Sequence, residues 1–158
     1  NFINQSVFRE SKMTEYTDED IKRMNISALA CNKSRLKELI DFAKLSGYHK
    51  LGIANCFFMQ KYAAHLKQLL EDAGFEVYSM SCRDSKLDGE TISAELKGPS
   101  CDPVSQADYL NECGTDFNIN VGQCLGHGLI FQKYSKADVT TIVVKDFETH
   151  HRSVENFE

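Results

Sequence analysis

The sequence predicts a three-layer α/β fold: a mainly parallel sheet, Rossmann-like or flavodoxin-like, with helices on both faces. Three observations carry this expectation. Short apolar runs with strand character fall at residues 50–55, 75–80, 117–123 and 139–145. Stretches with helical spacing lie between them, which implies βαβ units and parallel strands. Chemistry-bearing residues follow the runs at once: Cys56, Cys82, Cys124 and Asp146. In sheets of this kind ligands bind beyond the carboxyl ends of the strands.

Taken in order, residues 1–16 lack periodicity and read as a loose arm whose Phe2, Ile3, Val7 and Phe8 are able to dock on a neighbour. Residues 17–158 read as one α/β domain. Thr17 with Asp20 forms a capping-box pattern, and Ile21, Met24, Ala28 and Cys31 fall on one face of the helix that follows. Cys31 is expected in the core, since free cysteine packs as a small hydrophobe. Ser34 can cap a second helix with a stripe of Leu36, Leu39, Ile40 and Ala43, stopped at Gly47.

The run at Lys50–Asn55 is a first strand. Met59, Tyr62, Ala63, Leu66, Leu69, Leu70 and Ala73 then mark an amphipathic helix ending at Gly74. Phe75–Met80 is a second strand. Residues 83–100 are polar, with Gly89, Gly98 and Pro99 and weak helical character at Ile92–Leu96, and read as a lid or a surface excursion. Pro103 suits the first turn of a helix in which Val104, Ala107 and Leu110 face inward. Phe117, Ile119 and Val121 alternate with polar residues in a third strand, and Gly122 ends it. Cys124 and His127 are expected in a turn before a short apolar helix beginning near Leu129. Val139–Val144 is β-branched and the strongest strand signal in the chain. His150 and His151 read as solvated tail residues.

Composition narrows the function classes. The chain has 158 residues, 42% of them hydrophobic and 26% charged, with a net charge of −5. No basic patch stands out, so nucleic acid is not an expected partner. No apolar run approaches the roughly 20 residues of a membrane span, and no signal peptide is visible, so a membrane is not an expected partner either. The chain opens at Asn1 rather than Met, compatible with an upstream segment. Six cysteines sit among regular helix and strand signals that need no staples, which favours free thiols or metal ligands in a reducing, cytoplasmic setting. Three N-x-S triplets, at Asn4, Asn25 and Asn32, match the glycosylation acceptor pattern but lack the secreted context that it needs. The expected partner is a small molecule or a metal ion, and a homo-oligomer is compatible with the sequence.

Cys56, Cys101 and Cys124 each lie at or just before an expected helix N-terminus, where the partial positive charge favours anionic sulfur. Thiolates serve as metal ligands and as nucleophiles, so two readings stand. In one, Cys56, Cys82, Cys101 and Cys124 bind zinc or an iron–sulfur cluster, with His127 as a further ligand or its neighbour. In the other, a single cysteine of lowered pKa attacks an electrophile and His127 acts as base.

The motifs Gly52-Ile-Ala-Asn-Cys56, Cys101-Asp-Pro-Val-Ser-Gln-Ala107, Leu110-Asn111, Asp116-Phe-Asn118, Val121-Gly-Gln-Cys-Leu-Gly-His127 and Val139-Thr-Thr-Ile-Val-Val-Lys-Asp146 carry a resemblance. Over roughly residues 20–147, with the strand leading to Cys82 included, the chain resembles a family of prokaryotic proteins of unknown function described as metal-binding and cysteine-rich. The resemblance implies functional roles for Cys56, Cys82, Cys101, Cys124 and His127. The chain departs from the family pattern in four places. Asp102 stands for Asn, Gln123 and Gly128 stand for Leu and Asp around Cys124 and His127, and Phe147 stands for Arg. No cysteine cluster precedes Cys31.

Overall fold

The computed structural model describes residues 15–158. The expected arm therefore lies almost wholly outside the described residues, as does the triplet at Asn4. Four strands, β1 (Lys50–Asn55), β2 (Glu76–Ser81), β3 (Phe117–Val121) and β4 (Asp138–Val143), form one sheet in the order β2-β1-β3-β4. Every pairing is parallel. Five helices accompany them: α1 (Asp18–Ala30), α2 (Arg35–Leu45), α3 (Gln60–Asp72), α4 (Pro103–Cys113) and α5 (Leu125–Tyr134).

Residue alternation along the strands divides the core into two layers. Leu51, Ile53, Val77, Phe117, Ile119 and Val121 pack on one face against Leu39 and Ala43 of α2 and Ala63, Leu66 and Leu70 of α3. Ala54 packs on the other face against Ala107 and Leu110 of α4 and Phe131 of α5. The sheet is thus sandwiched between helices, the predicted three-layer class. Gly52 belongs to the α4 side, where a Cβ would collide with Asn118 Oδ1. Among the described residues no helix is long and apolar enough to cross a membrane.

Local signals explain the element ends. Thr17 and Asp20 form the reciprocal capping box. Ser34 Oγ accepts from the Lys37 N–H, and Gly47 takes the left-handed conformation that ends α2. Asp102 caps α4 through the Ser105 N–H at 3.0 Å.

Several expectations shift. On α1, Ile21 and Met24 are exposed, while Ala30 is buried and Ile26 and Ser27 are half-buried. This helix lies against α2 and leaves much of its apolar stripe outside. Cys31 is half-buried rather than core, its thiol donating to the Ala28 carbonyl. On α4 the inward stripe is Pro103, Gln106, Ala107 and Leu110, with Val104 outside. β3 stops at Val121, because Gly122 adopts φ +65°. Its polar residues Asn118 and Asn120 are buried, not solvated. α5 begins at Leu125, so His127 lies in its first turn. Residues 83–99 form a hydrogen-bonded excursion: Gly89 N–H donates to the Gly98 carbonyl, Ser100 N–H to Leu87, and only Gly89–Thr91 makes a helical turn.

The β3–β4 ladder slips by one residue. Asn120 pairs with Thr141 and Val121 with Val143, leaving Ile142 without a partner.

Candidate functional site: a thiol crevice at the carboxyl edge

The strand order places β1 and β3 side by side with their connections leaving in opposite directions, β1 toward β2 and β3 toward β4. Crevices open at such switch points. Cys56 directly follows β1, Cys82 follows β2, and Cys124 follows β3 by way of Gly122 and Gln123. Backbone bonds stitch these loops together. Cys56 N–H donates to the Val121 carbonyl at 3.2 Å, Cys82 N–H to Asn55 at 2.9 Å, and Asp102 N–H to Cys82 at 2.7 Å.

As a result one tight crevice, too narrow in this structure to hold a water molecule, is lined by Cys56, Cys82, Cys101, Gln123, Cys124 and His127. All five residues expected from the sequence border it. Cys56 and Cys82 are buried, and Cys101, Cys124 and His127 are half-buried. Cys113 lies at the end of α4, away from this group.

A residue to which the sequence assigned no role bridges two of these sulfurs. Lys145 Nζ donates to Cys124 Sγ at 3.0 Å and to Cys56 Sγ at 3.2 Å. Burial works against the Lys145 charge, but the contacts with the two sulfurs outweigh it and raise its pKa. The positive end of α5, for which Cys124 is the N-cap, adds a partial charge of the same sign. Cys82 differs. Burial pushes its thiol up to about 12, with Cys101 and Cys56 adding to the effect against the Phe57 N–H, which donates to its sulfur at 3.3 Å. Burial and then the Lys145 charge lower the pKa of His127. Its imidazole is therefore mainly neutral near pH 7, the form that ligates a metal or accepts a proton.

Behind the thiols lies a buried amide chain. Gln106 Nε2 donates to the carbonyls of Asn55 at 3.1 Å and Met80 at 2.7 Å, and Gln123 Nε2 donates to Gln106 Oε1 at 2.8 Å. Gln123 Oε1 is buried with no hydrogen-bond partner. Gln106 was hidden in the sequence because a polar residue on a helix reads as surface. The signal that could have exposed it is its i, i+3, i+4 spacing with Pro103 and Ala107.

Asp146 stands apart from the thiols. Its carboxylate accepts from Glu148 N–H, Thr149 N–H and Asn156 Nδ2, a turn role. His151 is not a free tail residue, since its Nδ1 accepts from the Asp146 N–H at 3.0 Å.

Soft donors gather here, yet among the described residues no group of three or more His, Cys, Asp and Glu is arranged to hold a metal ion. Lining a crevice requires only that side chains border one space, whereas ligation requires that they converge on one point. Between Cys56 and Cys124 that point is taken by the Lys145 ammonium.

A roomier groove of about 390 Å³ lies at the opposite, amino end of the sheet, beside Arg23, Arg35, Phe42 and Phe117. Its charges are internally satisfied. Arg23 pairs with Asp138 at 2.7 Å, and Arg35 with Glu38 at 3.0 Å. It holds none of the thiols.

Comparison with known proteins adds a family but no activity. Residues 3–142 match the family described as "Protein of unknown function (DUF1847)". An uncharacterized protein of Methanocaldococcus jannaschii is 40% identical over 161 residues, covering 96% of this chain and 81% of its own. No solved structure matches. On the family match and this relative together, the chain belongs to the DUF1847 family of proteins of unknown function.

Proposed function

We propose that the protein binds a soft metal ion in the crevice at the carboxyl edge of its sheet, with Cys56, Cys82, Cys101 and Cys124 as thiolate donors and His127 as a further donor or a residue beside them. The observation that carries this reading is that these five side chains, from four separate segments of the chain, border one crevice. Sulfur and imidazole donors suit zinc or an iron–sulfur cluster. The tightness of the crevice favours a single ion such as Zn²⁺ over a cluster. A metal here would serve as a Lewis acid or a structural clasp. The chain's own contribution is the donor set, the Lys145 charge that offsets several thiolates, and the dry wall behind them. Binding requires Lys145 to yield the space between Cys56 and Cys124, and requires Cys82 to release its proton. Uptake should therefore strengthen as pH rises. The six free thiols fit a reducing cytoplasm and a metal ion or small molecule as partner.

The test is reconstitution under reducing conditions with Zn²⁺ or Co²⁺. The expected result is one ion per chain, with thiolate-to-cobalt charge-transfer absorption, and loss of both in Cys124→Ser with unchanged far-UV circular dichroism. Equal metal uptake by the Cys124→Ser protein would sink the reading.

A second reading rests on the Lys145 contacts. A cation 3.0 Å from Cys124 Sγ and 3.2 Å from Cys56 Sγ also suits a metal-free thiolate nucleophile, with neutral His127 as base. Fast alkylation of one cysteine in chelator-treated protein, with the others inert, would favour it over the metal reading.

A further inference from the structure

The amide chain behind the thiols has a fixed polarity. Gln106 is fully buried, and its Nε2 donates to two backbone carbonyls, Asn55 and Met80. Turning that amide over would set its oxygen against two acceptors, so Gln106 Oε1 must face Gln123. Gln123 must then present Nε2 to Gln106, at 2.8 Å. The usual ambiguity of a glutamine amide is removed by the carbonyls at the far end of the relay.

The consequence falls on Gln123 Oε1. Gln123 is 9% exposed and lines the thiol crevice, and this oxygen is buried without a partner. An unsatisfied buried acceptor is costly, and native folds keep few of them, each met by a water, an ion or a ligand or tied to a functional role. The crevice's other features, Lys145 and the N-terminus of α5, attract negative charge and would welcome a carboxylate or phosphate oxygen. Gln123 Oε1 repels such oxygens.

We propose that Gln123 is a specificity-determining residue of the crevice, selecting a small ligand that brings an N–H or O–H donor beside Cys124 over one of equal size that offers only acceptor oxygens. This rests on the crevice being the ligand site, and it names the class of small molecule that the site takes.

Iodoacetamide and iodoacetate are matched probes. They share size and leaving group, but only the amide carries N–H donors. With either, a bond forms between Cys124 Sγ and the methylene carbon as the C–I bond breaks. Iodide leaves and the thiol proton goes to solvent. The quantity to read, by peptide mass spectrometry on chelator-treated protein, is the ratio of iodoacetamide to iodoacetate rates at Cys124. Gln123→Met should lower that ratio about two- to tenfold, the worth of one hydrogen bond. Gln123→Leu also removes the acceptor without adding a charge and should lower the ratio by a similar factor. An unchanged ratio in Gln123→Met overturns the proposal. So does an unchanged ratio in Gln123→Leu, which decides the matter alone if the methionine variant does not fold. Zn²⁺ uptake by the same variants is measured separately. Failure of zinc binding with the amide preference intact removes the metal reading and leaves this one standing.

Discussion

Gly122 is the position at which the path from strand to thiol is most constrained, and Gly122→Ala measures that constraint. Its backbone sits at φ +65°, a left-handed conformation that costs an L-residue with a side chain roughly 1–2 kcal/mol. A Cβ built there would lie 2.5 Å from Met59 Cγ, 3.2 Å from Met59 Cε and 3.3 Å from Lys145 Cβ. Met59 is fully buried, so its Cγ has nowhere to retreat, and overpacking of this kind adds about 1–3 kcal/mol. The sum, about 2–5 kcal/mol, is a large part of a typical domain's stability. For a chain of this length it corresponds to a melting point lower by roughly 6–15 °C. Gly126→Ala is the internal control. Gly126 lies in α5, and a Cβ added there meets nothing within 4 Å, so alanine should be neutral or stabilising by up to about 1 kcal/mol. Thermal melts followed by circular dichroism on both variants make the comparison. A Gly122→Ala protein melting within about 2 °C of its parent would refute the argument, since the steric and conformational terms together exceed that shift.

Three further outcomes follow from the geometry. Lys145→Met removes a charged donor from Cys124 and Cys56, and alkylation of Cys124 by iodoacetamide at neutral pH should slow about tenfold; an unchanged rate would show that the ammonium does nothing for the sulfur. Asp102→Ala deletes the cap of α4 and its bonds to Ser105 and Ser85, and denaturant titration should show a loss of about 1–2 kcal/mol; a loss below about 0.5 kcal/mol would contradict the role assigned to the cap. Asp146 has its carboxyl held low, first by the Thr149 N–H and then by Asn156, so its folded pKa lies beneath the unfolded one. Its contribution is complete above about pH 4 and is lost as pH falls through the depressed folded value. Amide exchange at Glu148 and Thr149 should accelerate below that pH ahead of the central strands, and uniform exchange at both places would dismiss the assignment.

The sheet was legible because strand and helix periods differ and each run was bounded by glycine or a cap. The gathering of Cys56, Cys82 and Cys124 was legible for a topological reason. Parallel strands end on one side, so a residue just past a strand is brought to a shared edge whatever its distance in sequence. Cys101 followed because Pro103 marked a helix start beside it. What stayed hidden depends on three-dimensional partners rather than on pattern. Lys145 at a strand end looks like any solvated lysine until two sulfurs are found within 3.2 Å of it. Gln106 and Asn118 look like surface residues until buried carbonyl and hydroxyl partners are found for them. The α1 stripe misled because apolar spacing says which residues share a face, but not whether that face is covered.

The slip between β3 and β4 acts as a parity switch. Side chains alternate between faces along a strand, so one unpaired residue exchanges the faces of everything after it. Were the ladder regular, Val121 would oppose Ile142, and the side chain delivered to the sulfur side beyond the strand would be that of Val144. With Ile142 skipped, Val143 takes that place and Lys145 arrives instead. Whether the two sulfurs meet an ammonium or an isopropyl group is therefore decided by counting. Two single-residue deletions separate the count from the composition. Removing Ile142 makes the ladder regular with Val143 still opposite Val121, so Lys145 keeps its place and Cys124 should react with iodoacetamide at the parent's rate. Removing Val144 leaves the slip intact but turns Lys145 to the other face, and Cys124 should then react as slowly as it does in Lys145→Met.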